Sequence, residues 1–153
     1  TADSGLRRLE IAFSSLFRHG TARRIHEHAA RRAGYDCERS AYLVLRKVVD
    51  ASPIRITDLA ADLGVEPSTV SRHVQPLEVR GWVERGSDPD DARVSLLAAT
   101  DTGEKVVSAI DRQRRRFLYL VLEGWSSDDR EALFDLLERF AREVEEKARH
   151  ISE

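Results

Sequence analysis

Between Ile56 and Ala99 the hydrophobic pattern runs through two short helical repeats and then switches to the alternation of a strand pair, an order that few folds accommodate. Thr57 is expected as an N-cap, its hydroxyl accepting from a free first-turn amide, and Asp58 suits the positive end of the helix dipole. Leu59, Ala60 and Leu63 share one face, and Gly64 supplies the left-handed residue that ends this helix. Pro67 opens a second helix at a position where its missing N–H costs nothing, and Gly81 ends it. Trp82 to Arg85 then reads as a strand, Ser87 to Asp91 as a turn, and Arg93 to Ala98 as the returning strand.

Two helices, a tight turn and a hairpin make the layout of a winged helix-turn-helix. In the second helix Val70, Val74 and Leu77 point inward at about 100° per residue. The opposite face carries Ser68, Arg72, Gln75 and Val79, with Thr69 and Ser71 on its flanks. Hydroxyls, a guanidinium and an amide are the groups that reach phosphates and base edges in a major groove. A polar helix face is by default only solvated; the hairpin that follows directly is what points to DNA.

The same stretch resembles the MarR (multiple antibiotic resistance regulator) family. The resemblance rests on LAADLGVEPSTVSRHVQPLEVRGWVER and on DPDDARVSLLAATDTGEKV, which carries the wing into the next helix. The family's Asp-x-Arg in the wing is met by Asp91 and Arg93, and its Thr-x-x-Gly by Thr100 and Gly103. Ala92 stands where relatives often have another Arg, and Pro76 lies inside the second helix, where it removes one hydrogen bond and favours a bend. The resemblance implies a homodimer whose recognition helices enter successive major grooves of a pseudo-palindrome. The DNA-binding set expected is Ser68, Thr69, Ser71, Arg72, Gln75, Arg85, Asp91 and Arg93. In the wing, the Asp91 carboxylate is expected beside the Arg93 guanidinium, steering it toward a minor groove.

Charge argues the other way. The 153-residue chain has a formal net charge of −2. From Pro53 to Leu97 five arginines and no lysine face eight acids. Phosphate neutralisation supplies much of the affinity for DNA, so the arrangement of these arginines has to outweigh their sum. The acidic lobe favours a rival reading, a winged-helix module that binds protein without sequence-specific DNA binding.

The flanks read as helices. Leu6, Leu9, Phe13, Leu16 and Phe17 recur at helical spacing, Gly20 interrupts, and Ala22, Ile25, Ala29 and Ala33 continue to Gly34. Asp36 is expected to cap a helix burying Ala41, Leu45, Val48 and Val49, which Ser52-Pro53 ends; Arg55-Ile56 adds a short strand beside the wing. After the wing, Thr100 or Asp101 opens a long helix with Val106, Ile110, Phe117 and Val121 on one stripe. Gly124 breaks it, and Ser126 with Asp129 forms an acidic capping box for a last helix displaying Leu133, Leu137, Phe140 and Val144. The fold class expected is mainly α with a small β-wing. Residues 1–35 and 100–153 would supply dimerisation helices from both termini, and 36–99 the winged helix-turn-helix DNA-binding lobe.

Other chemistry has little support. There is no Gly-rich phosphate loop, nucleophile elbow or metalloprotease motif, so no enzyme is expected. His26, His28, Cys37 and Glu38 match no tight zinc spacing, and no cofactor or metal is expected. The single cysteine, Cys37, fits a reducing cytoplasm and lies off the position of the reactive cysteine in peroxide-sensing relatives, so an inert thiol is expected. No apolar run reaches spanning length, no signal-peptide core opens the chain, and the start at Thr1 without Met suggests a truncated end. The Arg112, Arg114, Arg115 and Arg116 run is expected to be solvated, and Phe13, Phe17, Tyr35, Tyr42 and Arg46 are candidate lining for a small-molecule effector, aromatic or other. The combined expectation is a cytoplasmic bacterial transcriptional repressor, dimeric, bound to double-stranded DNA and released by an effector.

Overall fold

A computed structural model describes residues 2–91 and 93–151. Three helices come first: α1 (Ala2–Leu16), α2 (His19–Ala33) and α3 (Arg39–Ala51). Then follow β1 (Ile54–Arg55), α4 (Ile56–Leu63), α5 (Pro67–Val79), β2 (Val83–Ser87) and β3 (Ser95–Ala99). Two longer helices, α6 (Asp101–Val121) and α7 (Ser127–Ile151), complete the order. The chain separates into two compact units, Thr1–Arg115 and Arg116–Glu153. Among the described residues no helix is long and apolar enough to cross a membrane.

The helix-turn-helix is α4 and α5. Gly64 ends α4 in the left-handed region (φ 64°), and its amide and that of Val65 close back on α4 carbonyls. Pro67 is in the first turn of α5, as expected, and α5 runs on through Pro76 to Val79. Val70, Val74 and Leu77 are buried against Leu45, Val48, Leu59 and Leu97, which together with Val106 and Ile110 form the core. The sheet is antiparallel in the order β1-β3-β2, with Ile54 opposite Leu97 and Val83 opposite Ala99.

Several boundaries differ from the sequence reading. Thr57 is not the N-cap: α4 begins at Ile56 and Arg55 holds the extended cap position, because β1 stays paired with β3 up to Arg55. The short strand is accordingly Ile54–Arg55, which puts Ile54 in the core. Asp36 does not cap α3; Glu38 occupies that position without a side-chain cap bond. The N-terminal break lies ahead of Gly20, with Arg18 as the N-cap of α2, and Gly20 is inside that helix. Trp82 precedes β2, held by its amide on the Leu77 carbonyl (2.9 Å), and the strand extends to Ser87. Arg93 lies in the wing loop ahead of β3.

The start of α6 is fixed at one junction. Thr100 Oγ1 donates to the Gly81 carbonyl (2.6 Å) and accepts from the Gly103 amide (3.1 Å), while the Thr100 amide donates to the Trp82 carbonyl (3.1 Å). Gly103 rides so close to the Trp82 backbone that a Cβ there would sit 2.0 Å from its carbonyl oxygen. Further along, the Asp111 carboxylate of α6 accepts from both Tyr42 and Arg46 of α3, and Arg114 donates to the Tyr42 hydroxyl (3.0 Å). Ser126 and Asp129 form the expected cap of α7, with the Asp129 amide 3.1 Å from Ser126 Oγ.

Cys37 is buried in the α2–α3 connection, its thiol facing the Glu38 carbonyl at 3.6 Å. His26 is turned onto the Cys37 carbonyl (2.8 Å), and burial lowers its pKa. Burial pushes the Cys37 thiol up to about 11. Two outcomes follow. Gly103→Ala forces the Trp82 backbone away from α6 and lowers the melting temperature by roughly 3–10 °C in a thermal melt. The native Cys37 thiol alkylates with iodoacetamide at neutral pH at least about a hundredfold more slowly than free cysteine, and reaches the free rate once the chain is unfolded.

Candidate nucleic-acid interface

The outward face of α5 is the one expected. Ser68, Arg72, Gln75 and Val79 are exposed, and Thr69 and Ser71 are half-buried on its flanks. Among the described residues none of these side chains holds a hydrogen bond or ion pair. A row of unengaged polar groups opposite a sealed apolar stripe is a surface free to bond with something outside the chain.

The wing adds two further groups. Arg85 on β2 and Arg93 in the loop line one shallow groove with Gly86, Ser87, Val94 and Ser95. Asp91 acts on Arg93 differently from the expectation: its Oδ1 accepts from the Arg93 backbone amide at 3.0 Å, closing the loop from within. No ion pair joins the two side chains among the described residues. Ala92, the departure from the family pattern, lies outside the described residues.

Three residues that shape this surface escaped the sequence reading. Asp88 is buried at the root of the wing loop, 8 % exposed. Its carboxylate accepts from the Asp90 amide (2.9 Å) and from Arg55 Nη2 (2.7 Å), and these contacts hold it below the usual carboxylate range. The signal for the local half was present, since Asp88-Pro89-Asp90 is an Asx-turn pattern. The reach from Arg55, 33 residues away, left no trace in local spacing. Glu78, at the end of α5, takes the Arg85 guanidinium at two points (3.0 and 3.2 Å).

These pairs redistribute the lobe's charge. Arg55 is tied to Asp88, Arg85 to Glu78, and Arg80 lies over the Trp82 ring (4.9 Å) with Asp36 3.9 Å away. Of the five arginines between Pro53 and Leu97, only Arg72 and Arg93 have no carboxylate within 4.0 Å among the described residues. They stand on the two elements that a winged helix offers to a duplex.

The candidate effector residues are placed as follows. Phe13 and Phe17 stack on one another (5.4 Å between centroids). Tyr42 and Arg46 share Asp111, as described above, and burial raises the Tyr42 pKa. Tyr35 meets the Trp82 ring edge-on and also lines a cleft of about 970 Å³ between α2 and α3, beside Arg31, Cys37 and Arg39. Within the arginine run, Arg114 is engaged with Tyr42, so that run is not simply solvated.

Residues 38–95 match the profile of the MarR family. The chain is 34% identical over 113 residues to an uncharacterised HTH-type transcriptional regulator, YxaD, of Bacillus subtilis, covering 74% of this chain and 78% of that one. Its fold is similar to that of RV1404 from Mycobacterium tuberculosis (TM-score 0.76, 24% identity, 91% of this chain and 93% of that one). It is similar also to Streptococcus pneumoniae FabT, solved in complex with DNA (TM-score 0.72, 18% identity, 92% and 98%). The profile match, the relative and the shared winged helix agree: the chain belongs to the MarR family of HTH-type transcriptional regulators.

Proposed function

We propose that this chain is a homodimeric repressor that binds a pseudo-palindromic operator and is released by a small aromatic effector. The observation that carries the reading is the unengaged face of α5, together with a wing guanidinium, Arg93, that has no carboxylate within 4.0 Å among the described residues. In this reading Ser68, Thr69, Ser71, Arg72 and Gln75 enter the major groove, and Asp91 shapes the loop that presents Arg93 to the adjoining minor groove. Arg85, expected in the same set, has its guanidinium taken by Glu78 and is not counted among the contacting groups. The FabT complex supports a duplex as the partner of this fold. Two such lobes about 34–36 Å apart would meet half-sites one helical turn apart. A dimer seated there in the cytoplasm excludes polymerase from the stretch it covers.

The second copy is argued from unburied apolar surface. Leu6, Ile11, Leu16 and Phe17 near the N-terminus and Leu136, Leu137, Phe140 and Val144 on α7 are all exposed. Faces of this size on a charged chain mark interfaces. Residues 1–35 and 100–153 are therefore assigned to dimerisation, and 36–99 to DNA. An effector has room in the cleft between α2 and α3, where Tyr35 supplies a ring contact and Arg31 and Arg39 supply charge. Since α3 packs on α5, a ligand there would act directly on the recognition helix.

Mobility shifts with the DNA immediately upstream of its own coding sequence test the reading. Arg72→Ala and Arg93→Ala each weaken operator binding by roughly 1–3 kcal/mol while leaving the melting temperature near that of the parent. Equal affinity in both variants across a salt titration, or no binding at low salt, would favour the protein-binding alternative that the acidic lobe suggests. Light scattering of the full chain at micromolar concentration gives a dimer, and deletion of the residues after Ser126 gives monomer or aggregate; a well-folded full-length monomer overturns the assembly.

A further inference from the structure

The wing carries a second arginine whose position suits DNA and whose charge is already spent. Arg85 shares the shallow groove of Arg93, yet all three of its guanidinium nitrogens are occupied. Nε meets Glu78 Oε1 at 3.0 Å, Nη2 meets Oε2 at 3.2 Å, and Nη1 donates to Ser95 Oγ at 3.3 Å. The paired carboxylate is the planar, two-point partner that a phosphate would otherwise be. We propose that Glu78 holds Arg85 off the phosphate backbone, so that of the lobe's five arginines Arg72 and Arg93 are the ones left to meet DNA charge. The inference rests on the DNA-binding reading above.

The pair bridges the last turn of α5 and the first half of β2, on either side of Gly81 and Trp82. It thus braces the wing against the recognition helix while it masks a cation. Both side chains remain partly open to solvent, 37% for Arg85 and 28% for Glu78, so a phosphate could reach the guanidinium if the carboxylate were gone. While the carboxylate stays, a phosphate taking Arg85 would leave Glu78 unpaired beside its own negative charge. Sequence-independent affinity is set by the number of phosphates neutralised, and base contacts by α5. Masking Arg85 lowers the first without touching the second. Glu78 is in this sense a positioning residue that sets specificity.

The test compares the full chain with Glu78→Gln, Arg85→Ala and the double variant. Affinity for the upstream duplex and for an unrelated duplex of equal length is measured by fluorescence anisotropy over a series of salt concentrations, beside thermal melts. Glu78→Gln keeps the side chain's size and one acceptor. It is expected to steepen the dependence of log K on log salt by about 0.9 per protomer and to tighten binding to the unrelated duplex several-fold at low salt. The ratio between the two duplexes falls accordingly. Arg85→Ala alone leaves the slope unchanged, and the double variant loses the gain. That single variant poses the same question however well Glu78→Gln folds. The proposal is overturned if the gain persists without Arg85, since simple loss of an acid then explains it. It is equally overturned if Arg85→Ala flattens the slope, or if Glu78→Gln changes nothing while the parent binds the upstream duplex. A parent that binds neither duplex removes the DNA reading and the inference together.

Discussion

The backbone carbonyls of Gly81 and Trp82 are the point from which α5, the wing and the start of α6 take their geometry. They lie where α5 stops, where the wing starts and where α6 is docked. Gly81 takes φ 68°, which lets its amide and that of Trp82 bond back to Glu78 and Leu77 carbonyls and turns the chain sharply into β2. The same two residues then receive Thr100 and the bare face of Gly103. Three elements are therefore held by atoms that no side-chain substitution at Gly81 or Trp82 removes. Trp82 adds its ring, set between Tyr35 and Arg80, so that the α2–α3 connection is anchored to the same spot.

A second tie, through Asp111, keeps α3 from shifting along α6. Its two oxygens serve Tyr42 and Arg46 separately, and Arg114 completes the set from one turn further on. The cost of desolvating this half-buried carboxylate is offset because its charge is met by the Arg46 guanidinium and by a phenol that Arg114 in turn supports. The opposite strategy governs the wing, where carboxylates are spent on the loop itself. Asp88 and Asp91 both bond to backbone amides two residues ahead, so two of the eight acids that make the lobe's net charge unfavourable also shape its wing.

The order of elements from α4 to β3 was legible because apolar periodicity, Gly64, Pro67 and Gly81 all specify the same chain path. Val70, Val74 and Leu77 were placed on the buried face from spacing alone, and that placement also fixed which side of α5 faces out. What spacing could not supply were partners distant in sequence. Arg55 with Asp88, and Tyr42 and Arg46 with Asp111, lie 33 and more residues apart, and their pairing depends on how strands and helices pack. Glu78 with Arg85 is only seven residues apart but crosses from helix period to strand period, so neither template relates the two. Two of the expected caps failed for a related reason. Thr57 and Asp36 have the right chemistry, but the pairing of β1 and the burial of the Cys37 segment set where the helices begin.

The separation between scaffold and the unengaged face of α5 has a consequence for how such a chain diversifies. The junction is made of main-chain oxygens, one threonine and one glycine, whereas the side chains of Ser68, Arg72 and Gln75 contribute no bond to the rest of the described residues. Exposed substitutions away from caps and cores usually shift stability by less than about half a kcal/mol. Mutational drift at these three positions thus meets almost no folding barrier, and, on the DNA-binding role proposed for them, a duplicated copy can be retargeted to a new DNA sequence one residue at a time, each intermediate remaining a folded protein.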